Sequence, residues 1–178
     1  MPDRPLAYFI TFTTYGTWLH GDAPGSVDQE HNQVGLPWLP ADPELQTIAR
    51  GRMTQQAYLL DAPRREVVRD AIIEECQFRS WSILALHVRS NHVHLVVISE
   101  REPEFVMRSC KATASKRLNE TGLDQPDRKR WTTHGSTKYL WHEEAVAAAV
   151  NYTLHRQGDP MAVYPPESGS PGPGPSED

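Results

Sequence analysis

Cysteine is nearly absent: Cys76 and Cys110 are the two in 178 residues, and they form no CxxC pair. A zinc knuckle or dithiol redox motif is thereby excluded, and a reducing compartment fits better than a disulfide-stapled secreted fold. Long apolar runs are missing too. No stretch approaches the roughly 20 residues that cross a bilayer, and Met1-Pro2-Asp3-Arg4-Pro5 lacks the apolar segment of a secretory leader. The expectation is a soluble, cytoplasmic protein that engages no membrane. An excess of positive charge is also lacking: the net charge is −5, whereas nucleic-acid binders are usually basic. Three of those negative charges, Glu167, Glu177 and Asp178, lie beyond Tyr164 with no Lys or Arg, so residues 1–164 carry −2. The chain reads as a single domain over 1–164, long enough for one core, followed by a disordered Pro/Gly/Ser-rich acidic tail over 165–178.

The charge that is present is unevenly placed. From Arg108 to Arg130, seven bases (Arg108, Lys111, Lys116, Arg117, Arg128, Lys129, Arg130) stand against three acids (Glu120, Asp124, Asp127), a local +4. Such a patch suits phosphate contact, and it suits a solvated helix face plus a loop equally well.

Along the chain, Tyr8 to Thr14 is β-branched and aromatic and predicts a strand. Asp22 to Ala57 is a long irregular stretch rich in Pro and Gly, interrupted by a short helix near Glu44 to Gly51; loops of that length are often functional. Asp61 caps a helix entered through Pro63 and running to about Arg79, with Val68, Ile72 and Cys76 facing the core. Ser82 to Val88 and His92 to Ile98 are two strands joined tightly by Arg89-Ser90-Asn91. Pro103 opens a helix to about Asn119, buried along Val106, Cys110, Ala114 and Leu118, with Gly122 just past its end. Thr137 to Leu140 is a possible last strand, and a final helix covers Glu143 to Arg156. The order predicts an α+β, ferredoxin-like split βαβ fold, an antiparallel sheet with helices on one face and the C-terminal helix on the other.

His92 and His94 carry the chemistry. Strand side chains alternate faces, so both imidazoles leave the same side of the backbone and can converge on one ion. Taken alone, an HxH pair is more often structural, and a metal site needs at least a third group. The final helix adds Tyr152. Val146, Val150 and Leu154 form an apolar stripe expected to pack down, which puts Tyr152 on the far side among Ala145, Ala148 and Ala149, with room for a substrate at its hydroxyl. The bland alternative is a tyrosine packed at a subunit contact.

These residues together resemble the HUH-type single-tyrosine transposases, in particular the REP-associated (IS200-like) branch. Asn91-His92-Val93-His94 matches that family's Asn-His-Val-His strand. Leu140-Trp141 followed by Val150-Asn151-Tyr152 matches its nucleophile helix, and Lys111-Ala112 through Arg117-Leu118-Asn119 looks similar in between. The resemblance covers most of Phe9 to Asp159. It implies cleavage and rejoining of hairpin-containing single-stranded DNA through a 5′-phosphotyrosine on Tyr152, a Mg2+ or Mn2+ ion on His92 and His94, a homodimer, and work on the DNA of the nucleoid. Its third metal ligand is an amide four residues after the tyrosine. Arg156 holds that place here; Gln157, one position on, is the preferred candidate and His155 its rival. Arg89-Ser90 replaces the usual Met-Pro, and Gly158-Asp159-Pro160 replaces Asn-Pro.

Among the remaining residues, Lys111 and Arg117 are candidate phosphate binders, and Trp18 and Trp38 could stack on bases. His87 reads as a structural histidine or a partner to a ligand, and Tyr139 as an alternative nucleophile or packing. Two other functions stay open: a domesticated, catalytically weak hairpin-DNA binder, and a metal-dependent phosphodiesterase that activates water. Sequence also leaves open whether Tyr152 serves the histidines of its own chain or of a partner.

Overall fold

The computed structural model describes residues 3–17 and 43–165. Trp18, Trp38, most of the stretch from Asp22 to Ala57 and the tail beyond Pro165 lie outside the described residues. The elements run β1 (Ala7–Thr13), α1 (Pro43–Gly51), α2 (Ala62–Phe78), β2 (Ser82–Val88), β3 (His92–Ile98), α3 (Pro103–Thr121), β4 (Ser136–Leu140), α4 (Glu143–His155) and β5 (Ala162–Tyr164). All pairings are antiparallel, in the order β4-β1-β3-β2-β5. Without α1 and β5 this is the expected split βαβ arrangement.

Local chemistry sets the boundaries. The Asp61 carboxylate accepts the Arg64 backbone N–H at 3.1 Å and opens α2, with Pro63 in its first turn. Gly122 closes α3 at φ 68°, a left-handed conformation that favours glycine. Between β2 and β3 the chain reverses over Arg89-Ser90-Asn91, where the Arg89 N–H bonds the His92 carbonyl at 2.9 Å.

The sheet has two unlike faces. Ile10 and Phe12 of β1, Leu86 and Val88 of β2, and Val93, Leu95 and Val97 of β3 meet Val68, Ile72 and Cys76 of α2 and Val106, Cys110, Ala114 and Leu118 of α3. The other face carries a smaller cluster, Ala7, Phe9, Ala85, Val96, Leu140 and Ala149, under α4. His92 and His94, being out of phase with Val93 and Leu95, lie on this second face.

Two expectations need correction. The buried residues of α4 are Ala149 and Thr153, while Val146, Val150 and Leu154 are half-buried. Small residues let the helix backbone approach the sheet closely, so the packed face is centred on Ala149 rather than on the valine stripe. Tyr152, about 60° from Ala149 at 100° per residue, therefore borders the packed face instead of lying opposite it, and it packs against the smaller cluster. The second correction is β5, which follows α4 and pairs Ala162, Val163 and Tyr164 with Val88, His87 and Leu86.

Candidate active site

Strand β3 and the end of α4 build the site. His92 and His94 are 7% and 5% exposed, with ring centroids 4.7 Å apart. The His92 Nε2 lies 3.3 Å from the Gln157 Oε1, and the His94 Nε2 lies 3.2 Å from the same oxygen. Their outer nitrogens are held too. The His92 Nδ1 donates to the Asn91 Oδ1 at 2.7 Å, and the His94 Nδ1 bonds the Thr11 hydroxyl at 2.7 Å. Occupying Nδ1 in this way directs each Nε2 inward. Burial pushes the His92 imidazole down to about 4 and the His94 imidazole well below its ordinary value, so both are neutral at pH 7 and keep a lone pair.

Gln157 reaches this point because α4 stops short. The helix ends at His155, the Arg156 N–H closes it on the Tyr152 carbonyl at 3.2 Å, and Gly158 turns away at φ 81°. A position five residues after Tyr152 thus folds back under the tyrosine, where its amide nitrogen donates to the Tyr152 carbonyl at 3.5 Å. His155 is exposed. The Tyr152 ring stands edge-on to His94 at 5.6 Å and to Phe9 at 6.0 Å. Four predicted residues of one chain, His92, His94, Tyr152 and Gln157, are therefore brought together.

Lys111 and Arg117 are not. Both belong to α3, on the opposite face of the sheet. The Lys111 ammonium donates to the carbonyls of Thr132 and His134 at 2.8 and 3.2 Å, and burial lowers its pKa to about 8. The Arg117 guanidinium pairs with Glu74 and Glu120. Other bases of the run also have partners within the chain. Asp124 binds Arg64 and buried Arg130, and accepts the Tyr58 hydroxyl at 2.6 Å. Arg128 and Lys129 bind Gln55, Gln56 and Thr54. Sequence summing counts these charges; it cannot count the acids and carbonyls that fold onto them. Tyr139 is paired with Tyr8 across strands on the α3 face, and its hydroxyl donates to Glu102 at 2.8 Å.

Sequence reasoning did not single out Thr11 as the partner of His94. The signal was available: β1 alternates so that Phe9, Thr11 and Thr13 share the histidine face, and Thr11 sits directly across from His94. Among the described residues no three His, Cys, Asp or Glu side chains cluster as a metal site. The third inward group is an amide oxygen.

A buried histidine pair on a central strand, facing a tyrosine on a flanking helix of an α+β sandwich, defines the site. The family profile described as "Transposase IS200 like" matches residues 52–150, more than half of the chain and including both histidines, and the chain belongs to that family. Among solved structures, it is similar to a REP-associated tyrosine transposase bound to a REP hairpin, with 14% identity and a TM-score of 0.44 over 83% of this chain. The chain spans 64% of the length of that protein. It is also similar to a Deinococcus radiodurans R1 protein solved as a candidate transposase, with 16% identity, a TM-score of 0.43, and coverage of 83% of this chain and 88% of that one. No curated protein matches.

Proposed function

We propose that the protein cuts and rejoins hairpin-containing single-stranded DNA by transesterification through Tyr152, with a divalent ion held by His92, His94 and Gln157. The observation that carries this reading is the convergence of two neutral imidazole nitrogens and one amide oxygen within 3.2–3.3 Å, beside a tyrosine ring 5.6 Å from His94. Two imidazole nitrogens and an amide oxygen converging on one point form a donor set that suits a shared cation. A Mg2+ or Mn2+ ion bound there would supply charge neutralisation at the scissile phosphate.

The residues of the chain do the rest. The Tyr152 oxygen attacks phosphorus, the bond from phosphorus to the 3′ oxygen breaks, and that oxygen leaves as a free 3′-hydroxyl carrying a proton. The DNA 5′ end stays on Tyr152 as a phosphodiester. Attack by another 3′-hydroxyl reverses the step, rejoins strands and returns the phenol. Phe9 and His94 hold the tyrosine ring edge-on, which limits where its hydroxyl can point. Tyr152 packs on the His94 of its own chain, which supports a cis arrangement in this reading.

The test is trapping. The protein is incubated with labelled single-stranded hairpin oligonucleotides and Mn2+, and a protein–DNA adduct is sought on a denaturing gel. The expected adduct is lost in Tyr152→Phe and His92→Ala. Cleavage without an adduct, surviving in Tyr152→Phe, would replace this reading with a water-activating phosphodiesterase. Binding with neither product would favour a hairpin-DNA binder.

A further inference from the structure

His87 is a fully buried titratable group that the proposed reaction does not use. It lies on β2 directly across from His94, on the same face of the sheet. Both of its ring nitrogens are engaged by the chain on either side of Gln157. The Met161 backbone N–H donates to the His87 Nε2 at 3.1 Å, so that nitrogen carries the lone pair. A neutral imidazole then has its proton on Nδ1, and this N–H donates to the Thr153 carbonyl at 3.0 Å. One tautomer satisfies both bonds. Thr153 stands four residues before Gln157 and Met161 four residues after it.

The segment between has little else to hold it. His155, Arg156, Gly158, Asp159 and Pro160 are exposed, and Leu154 and Gln157 are half-buried. Arg89 adds one outer tie, its Nη1 donating to the Asp159 carbonyl at 2.9 Å. An apolar residue at position 87 would fill the same space yet leave the buried Thr153 carbonyl and the Met161 N–H without these partners, and for the buried carbonyl that is a larger penalty than losing a bond to water.

We propose that His87 is a positioning residue: by bonding the Thr153 carbonyl and the Met161 N–H, it fixes the turn that carries the Gln157 amide oxygen to His92 and His94. The proposal rests on reading Gln157 as the third ligand, but its first test does not need a metal. In metal-free protein, NMR reports the side-chain amide signals of Gln157 and the exchange of the Met161 amide. His87→Leu is expected to move the Gln157 signals towards solvent-exposed values and speed Met161 exchange. His87→Gln places an amide oxygen near the former Nε2 and should keep Met161 protected; His87→Asn places an amide nitrogen near the former Nδ1 and should keep the Thr153 bond alone. These two variants decide the matter should His87→Leu fail to fold.

The second readout is Mn2+ affinity by calorimetry. His87→Leu and Gln157→Ala are each expected to lower it by about 10- to 100-fold, and the double variant is expected to be no worse than either. Gln157 signals unchanged in every His87 variant, or losses that add in the double variant, would overturn the proposal. A parent protein that binds no Mn2+ would refute the ligand reading, while the metal-free spectra would still decide the role of His87.

Discussion

On the α2 and α3 face of the sheet, Phe12, Ile10, Leu86, Leu95 and Val93 are wholly excluded from water and meet almost only carbon. On the α4 face the packed cluster is six residues, two of its larger members are Phe9 and Leu140, and the space beside them is filled by His87, His92, His94 and Thr153. One face is insoluble enough to fix strand register; the other is polar enough to do chemistry. The two are linked by pleat geometry. A one-residue slip of β3 would turn Val93, Leu95 and Val97 onto the α4 face and both histidines into the apolar core, so the large core holds the imidazoles where they are without touching them.

The division can be broken from either side. The largest effect is expected from Tyr152→Phe, which removes the attacking oxygen and should abolish the covalent DNA adduct while leaving Tm and Mn2+ affinity near the parent values; an adduct that persisted would move the nucleophile elsewhere. Leu95→Ala, on the opposite face of the same strand, should lower unfolding free energy by about 2–5 kcal/mol in denaturant titrations. Its folded fraction should still bind Mn2+ normally, and a loss of metal affinity well beyond the loss of folded protein would show the faces to be less separable than described.

Acid should find the polar face first. An unfolded imidazole titrates near pH 6.5, whereas folded His92 is lowered to about 4 by burial. Between those values the unfolded chain binds more protons than the folded one, so stability falls as pH drops from 6.5 towards 4. His92 alone accounts for about 3 kcal/mol at 1.36 kcal/mol per unit, and burial of His87 and His94 acts in the same direction. Melting of the metal-free protein at pH 7 and pH 4.5, beside His92→Gln, measures it; equal acid sensitivity of the two proteins would contradict the assignment. The smallest effect is expected at Thr153, whose hydroxyl is buried and has no hydrogen-bond partner among the described residues. Thr153→Val should leave stability unchanged or raise it by under about 1 kcal/mol, and a clear loss in Tm would mean that the hydroxyl is bonded after all.

Much of this is legible in the sequence. β2 and β3 begin and end where apolar alternation and the Arg89-Ser90-Asn91 break put them, and α2 is bounded by Asp61 and its proline because those signals act within a few residues. What failed depends on surfaces that no local pattern describes. The valines of α4 are the more apolar stripe, yet the sheet below, crowded with Phe9 and three imidazoles, accepts the small Ala149 and Thr153 most closely. β5 is too short to carry a period of its own, and only the waiting edge of β2 makes it a strand. The basic run reads as one patch in sequence, whereas Asp124, Glu74 and the Thr132 carbonyl pair with part of it in the fold. Gln157 was reachable through the family's amide ligand after the tyrosine, together with the place at which α4 stops.

β5 has one more consequence. A sheet with open margins invites other chains to add strands to it without limit. Here the β2 margin is sealed by a three-residue strand set between Pro160 and Pro165, neither of which has an amide hydrogen to offer. At the other margin β4 is five residues long and carries Lys138. Among the described residues one margin is thus shut and the other brief and charged, an arrangement that disfavours lateral addition of further strands.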